Sequence, residues 1–235
     1  MTALPWDSPG APDGSFHADD MIITGLQAAT QWDGLGHVGY DGTLYNGVPA
    51  TAVNNFQGAS RNSFPKVVDR LISRGVLLDI ARLKGVDRLE DSYGITEADV
   101  LAAEERQGIT VGSGDIVLLR TGSYQWFEEG DRPHFLGDAP GASLGLCRWL
   151  HRREVAALAV DNWSGENWPS PIEGAMVPFH QVAIRDMGLT IGEMWNLDDL
   201  AEDCAADGVY ELFLSATGLK VTGAVGSPVT PIAIK

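Results

Sequence analysis

The chain of 235 residues is poor in cysteine, with only Cys147 and Cys204, and poor in basic side chains, with 16 Lys and Arg against 32 Asp and Glu. Both cysteines sit in apolar, helix-like stretches, where a thiol serves as a small hydrophobe. No CxxC or Cys/His cluster with zinc-finger spacing exists, so neither a disulfide nor a structural zinc site is expected. The formal net charge of -16 repels phosphate backbones, which argues against a nucleic-acid partner. No apolar run approaches the ~20 residues of a membrane span. The N-terminus lacks a basic region followed by an apolar one, so no signal peptide is read there and a cytoplasmic location without a membrane partner is expected. There is no G-x-S-x-G for a serine-hydrolase elbow and no G-x-x-x-x-G-K-S/T for a phosphate-binding loop. No repeat, low-complexity tract or interior linker divides the chain.

What is present suits one globular domain. The hydrophobic content is 44% and the charged content 20%. Residues 1–20, rich in Pro, Gly, Asp and Ser, read as an irregular leader, and 21–235 as the domain. Ser63-Phe64-Pro65 followed by Val67, Val68, Leu71 and Ile72 predicts a capped amphipathic helix ending at Gly75. Val76–Ile80 predicts a buried strand. Thr96 stands three before Asp99, a capping-box spacing, and opens a helix to Gly108. Further strands are predicted at Ile116–Leu119, Ala157–Val160 and Leu189–Ile191. Helices are predicted over 141–153, from Pro178 to Met187, and from Asn196 and Asp199 to Gly208. The tail from Tyr210 to Ile234 alternates strand-like runs with glycine turns. Strands alternating with helices predict an α/β domain built on one mixed sheet with flanking helices.

Polar residues just past buried strands are site candidates, because ligands bind at strand ends in open sheets. Asp161 and Glu193 hold such places. Asp33 and His37 lie four apart in Trp32-Asp33-Gly34-Leu35-Gly36-His37, a spacing equally suited to a capped turn. His180 on a helix and Glu193 on the next strand are thirteen apart, and imidazole with hard oxygen ligands suits zinc or manganese. A helix-face His and an exposed Glu would show the same spacing. His17 in the leader, His134 in an acidic loop and His151 beside Arg152 and Arg153 are weaker candidates.

The segment Gln27-Ala28-Ala29-Thr30-Gln31-Trp32-Asp33-Gly34-Leu35-Gly36-His37 resembles the signature H-x-G-T-H-x-D-x-P-x-H of the cyclase-like metal-dependent hydrolases, the family of bacterial kynurenine formamidase and isatin hydrolase. Thr30, Asp33 and His37 match. The blocks Arg74–Asp79, Gly114–Gly122 and Gly223–Pro228 also look like the family, as does His180 to Glu193 followed by Asn196-Leu197. Gln27 and Gln31 stand where the signature has histidines, and Leu35 where it has proline. The sequence is thereby identified as a divergent member, resembling the subgroup with Thr-Gln-x-Asp followed by Gly-His.

The resemblance implies a swivelling β/β/α fold and a homodimer or homotetramer. Proteins of the family usually carry more chain ahead of the signature than the short leader here. The resemblance also implies a small-molecule substrate whose amide, lactam, lactone or formamide bond is hydrolysed by metal-activated water. Asp33, His180 and Glu193 would hold a zinc or manganese ion, Gln31 would offer an amide oxygen, and His37 with Asp33 would act in catalysis, His37 as acid/base. Trp32 and Tyr40 or Tyr45, clustered beside the signature, are candidates for lining an aromatic pocket or packing the core. Two alternatives stand beside this: a metal-free cyclase or dehydratase using His37 and Asp33, and a small-molecule binding protein that has lost catalysis.

Overall fold

The buried runs Val76–Leu78, Ile116–Leu119, Ala157–Val160 and Thr190–Ile191 become the parallel centre of one sheet in the computed structural model, which describes residues 2–4, 13 and 19–235. Eight strands form it: Gln31–Asp33 (β1), Ile72–Asp79 (β2), Ile116–Arg120 (β3), Ala157–Val160 (β4), Thr190–Glu193 (β5), Glu211–Ser215 (β6), Gly226–Pro228 (β7) and Ile232–Ile234 (β8). Their spatial order is β7-β1-β5-β4-β3-β2-β6-β8. The four central strands β2 to β5 run parallel, and β1 and β6 flank them antiparallel. Parallel neighbours need long crossovers, which the helices provide. Ile80–Lys84 (α1) and Glu97–Gln107 (α2) lie between β2 and β3. Tyr124–Glu128 (α3), Arg132–Phe135 (α4) and Leu146–Arg152 (α5) lie between β3 and β4. Pro178–Met187 (α6), wound as π-helix from Gln181, joins β4 to β5, and Asp198–Asp207 (α7) follows β5.

Both sheet faces are covered, and the two-residue period of the strands sorts their side chains between two cores. Val76, Leu78, Val117, Leu119, Leu158 and Val160 face α2, α5 and α6, meeting Val100, Trp149, Phe179 and Ile184. Leu77, Ile116, Leu118, Ala157 and Ala159 face the other way, against Trp32, Phe64, Trp195, Ala201 and Cys204. Cys147 and Cys204 are both free and buried. No helix among the described residues is long and apolar enough to cross a membrane.

The expected single mixed-sheet α/β domain is what forms, the strand Gln31–Asp33 and the helices α3 and α4 arise where none was predicted, and two predicted helices differ. The helix predicted from Ser63 to Gly75 is instead two single 3₁₀ turns, Phe64–Lys66 and Val68–Arg70, after which the chain enters β2 at Ile72. Pairing of β2 with both β3 and β6 outweighs a local helical pattern. Gly75 is no helix stop: it lies inside β2, where a Cβ would come within 2.9 Å of Leu212. The helix predicted over 141–153 begins only at Leu146, because Gly141–Ala142 pairs with Gly94–Ile95. The helix at Thr96 forms with its reciprocal capping box and ends at Gly108 in the left-handed region. Of the leader, Thr2–Leu4 pairs with Asp19–Met21, and His17 lies outside the described residues.

Candidate metal centre and cavity

Strand β1 shows how Thr-Gln-Trp-Asp builds a site. Gln31 and Asp33 point to one face and Trp32 to the other. Trp32 is fully buried, donates to the Ala216 carbonyl at 2.7 Å and packs edge-on against Trp195. Gly192 lies opposite Trp32, and a Cβ there would sit 2.8 Å from the Trp32 ring. Glu193 is the register partner of Gln31, so the Gln31 amide nitrogen donates to Glu193 Oε2 at 2.8 Å and reaches Asp33 Oδ1 at 3.4 Å. Helix α6 brings His180 over this face. Its Nε2 lies 3.2 Å from Glu193 Oε1 and 3.9 Å from Asp33 Oδ2.

Sequence reasoning missed Glu166, which holds His180 in place. Its carboxylate is buried and accepts three hydrogen bonds: from His180 Nδ1 at 2.7 Å, from the His180 backbone N–H at 3.1 Å and from the Phe179 N–H at 3.1 Å. With Nδ1–H committed there, Nε2 is the atom turned toward Asp33 and Glu193. The one signal was its place in the polar segment Asn162–Asn167 just past β4. Gly165, at φ +62°, lets that segment pass close beneath the site: a Cβ would meet His180 Cε1 at 3.2 Å and Glu193 Oε1 at 3.3 Å.

His37 reaches the cluster by a short turn, its N–H bonded to the Gly34 carbonyl at 2.9 Å. Its Nε2 lies 3.6 Å from Asp33 Oδ1, an ion-pair distance rather than a hydrogen bond. Burial of the inner edge of the ring, with the charge on His180 behind it, lowers its pKa to about 4, so His37 is neutral near pH 7. Burial opposes charge on His180 as well, but the hydrogen bonds to Glu166 and Glu193 outweigh it and raise that pKa to about 10. Asp33 is pushed well above the usual carboxylate range by burial and by Glu193.

The donor set fits a divalent cation. One ligating atom from each of Asp33, His180 and Glu193 lies within 4.8 Å of the others, and all three residues are buried. Asp33 Oδ2 is buried without any hydrogen-bond partner, an orphaned carboxylate oxygen that a cation would satisfy. Two carboxylates and an imidazole suit zinc or manganese.

The cluster opens into a cavity of about 600 Å³, walled by Val38, Leu136, Trp163, Trp168, Met176 and Val177 and floored by Gln27, Gln31, His37, His180 and Glu193. No Lys or Arg among the described residues lines it.

The other sequence candidates lie elsewhere. Asp161 is buried at the end of β4 and accepts from the N–H groups of Thr121 and Gly122 and from the Thr121 hydroxyl, tying two loops together. Tyr40 donates to Asp186, Tyr45 packs against Gly188, and neither lines the cavity. The aromatic walls come from Trp163 and Trp168 instead. His134 stacks on Trp126, and His151 is exposed on α5.

A family model described as "Putative cyclase" matches residues 3–167. The chain belongs to this cyclase family. A solved structure titled as a novel cyclase is 40% identical, with a TM-score of 0.88 over 98% of this chain and 76% of that one. Isatin hydrolase A from Ralstonia solanacearum is 21% identical, with a TM-score of 0.69 over 95% of this chain and 77% of its own. A structure titled "predicted metal-dependent hydrolase" from Bacillus stearothermophilus is 17% identical, with a TM-score of 0.60 over 99% and 84%. These last two likenesses concern the fold. No curated protein sequence matches the chain. The cyclase fold thus places Asp33, His180 and Glu193 together from three separate segments of the chain, β1, α6 and β5.

Proposed function

We propose that this cyclase-family chain is a metal-dependent hydrolase that cleaves an amide, lactam, lactone or formamide bond of a small, uncharged molecule. The observation that carries this reading is the buried Asp33–His180–Glu193 set with its orphaned Asp33 oxygen. The hydrolases among the fold's relatives support it. Asp33, His180 and Glu193 would hold the ion. Gln31 acts in this set as a donor that orients the two carboxylates, since its amide nitrogen is the atom facing them. A divalent cation held there supplies Lewis acidity, which lowers the pKa of water and polarises a carbonyl. The apolar walls would receive the body of the substrate. His37, neutral and at the cavity floor, accepts the proton that the attacking water gives up and returns it to the departing nitrogen or oxygen. The water oxygen bonds to the acyl carbon, the C–N or C–O bond breaks, and the product carries a carboxylate. Among the described residues no Lys or Arg lines the cavity to hold that anion, and the protein's net charge of -16 favours its departure.

The test is removal and return of the metal. Protein purified without chelator is assayed for bound metal and for hydrolysis of cyclic amides and lactones. EDTA is expected to abolish turnover, zinc or manganese to restore it, and Asp33→Ala to lose both metal and activity. A chelator-resistant enzyme that dies on His37→Ala would instead favour metal-free acid/base chemistry. That second reading draws on His180, whose raised pKa lets an imidazolium serve as the cluster's own cation.

A further inference from the structure

The residue that follows Glu193 is held in a backbone conformation that its side chain disfavours. Met194 has φ +58°, in the left-handed region. A Cβ is crowded there, and Gly, Asn and Asp are the residues that enter it readily. The other non-glycine residues with positive φ among the described residues, Asp41, Asn46, Asn62, Ser92 and Glu154, are all polar, and none of them lines the cavity. Met194 does. Such a conformation persists only where its surroundings impose it. Here both peptides of Met194 are held. Its N–H donates to the Asn162 carbonyl at 2.7 Å, and the next N–H, that of Trp195, donates to the Val160 carbonyl at 3.2 Å. Its carbonyl accepts from the Thr30 hydroxyl at 2.6 Å. The anchors come from the strands on either side of β5. Thr30 stands just before β1, one step beyond the Gln31–Glu193 pair, and its own carbonyl is fixed by the Val229 N–H at 2.9 Å. Asn162 lies just past β4, and its Oδ1 accepts from the Gly165 N–H at 2.7 Å, so it also steadies the loop that carries Glu166.

We propose that Thr30 is a positioning residue: its hydroxyl fixes the left-handed turn at Met194 and thereby the direction in which Glu193, one residue earlier, presents its carboxylate beside Asp33 and His180. The consequence for a cation rests on the metal-site reading above, whereas the clamp itself does not. Without the hydroxyl the Met194 carbonyl loses its donor, and the backbone is free to leave a conformation that a Cβ disfavours. A turn that relaxes at Met194 carries the Glu193 backbone with it. Glu193 then no longer meets both Gln31 Nε2 at 2.8 Å and His180 Nε2 at 3.2 Å. Ligand geometry is this sensitive to outer partners because a cation needs its donors aimed before it arrives.

Two measurements test this: zinc affinity by competition with a chromogenic chelator, and hydrogen exchange of the Met194 and Trp195 amides in the metal-free protein. Thr30→Val, which removes the hydroxyl at nearly the same size, is expected to weaken zinc about tenfold and to speed exchange at these two amides about tenfold or more. Thr30→Ser, which keeps a hydroxyl, is expected to stay within about threefold of wild type in both. A Thr30→Val protein that holds zinc as wild type does overturns the assignment. So does equal weakening by Val and Ser, because packing rather than the hydroxyl would then hold the turn. A second pair reads the turn directly if Thr30→Val does not fold. Met194→Gly, at ease with positive φ, is expected to keep zinc within about threefold, and Met194→Val, β-branched and more crowded there, to lose about tenfold. The reverse order also overturns it. Faster exchange in Thr30→Val, when the wild type binds neither zinc nor manganese, keeps the clamp and sinks the metal reading. Tight zinc binding by wild type with exchange unchanged in Thr30→Val does the reverse.

Discussion

Replacing Glu166 by Gln tests how His180 is held. The carboxylate takes three hydrogen bonds with its two oxygens, at 2.7, 3.1 and 3.1 Å, and is 2% exposed. Glutamine keeps one oxygen. If that oxygen stays with His180 Nδ1, the new NH₂ meets the Phe179 N–H and leaves a buried donor unsatisfied, at a cost of about 1–3 kcal/mol. If the amide turns the other way, the NH₂ faces Nδ1 and forces the proton onto Nε2, the atom that looks toward Asp33 and Glu193. Either outcome weakens a charge-assisted bond that orients the ring. Loss of such an outer partner lowers metal affinity by about 10–100-fold, which is about 1.4–2.8 kcal/mol. The assay is competition for zinc or manganese against a chromogenic chelator, with urea unfolding of the metal-free protein run in parallel. Glu166→Gln is expected to weaken metal binding by that factor and to lose about 1–3 kcal/mol of stability. An unchanged dissociation constant would refute the role assigned to Glu166.

Two further outcomes follow from the same geometry. Gly165→Ala would place a methyl within 3.3 Å of Ile191, His180 and Glu193 at φ +62°, so metal affinity and activity should both fall, whereas Gly114→Ala, at φ +84° in open space, should carry only the left-handed backbone cost of about 1–2 kcal/mol and leave metal binding intact. Equal effects of the two on metal binding would refute the close-approach argument. Asp99 is opposed by burial, but the Lys84 ammonium and the Thr96 and Tyr93 donors outweigh it and hold its pKa below 3.8. Because the folded value lies below the unfolded one, this stabilisation is full above about pH 4 and is lost as pH falls through the folded pKa. Asp99→Asn should therefore cost roughly 1–2 kcal/mol at pH 7 and progressively less below the ordinary aspartate value, read from urea unfolding across pH. A pH-independent difference would contradict that sign.

Much of the frame was legible because its signals are local. Buried strand runs and the Thr96/Asp99 cap depend on near neighbours, and β3, β4 and α2 stand where the pattern put them. Ser63–Gly75 was misread for the converse reason: whether Ile72 to Gly75 extends is decided by Leu212 and Leu214, some 140 residues away in the chain. Trp32, Tyr40 and Tyr45 clustered in sequence beside the site, yet strand alternation and the turn after it send them elsewhere.

The sequence by itself determined that His180 stands on one predicted helix and Glu193 just past the next predicted strand, whereas the strand that sets Gln31 and Asp33 on one face was not read from it. Only the tertiary structure decided that these residues meet. Antiparallel pairing of β1 with β5 sets Gln31 against Glu193, α6 lowers His180 onto them, and the loop through Gly165 brings Glu166 beneath. That the Gln31 amide nitrogen is the atom facing Glu193 follows from that pairing and from the fact that a carboxylate can only accept.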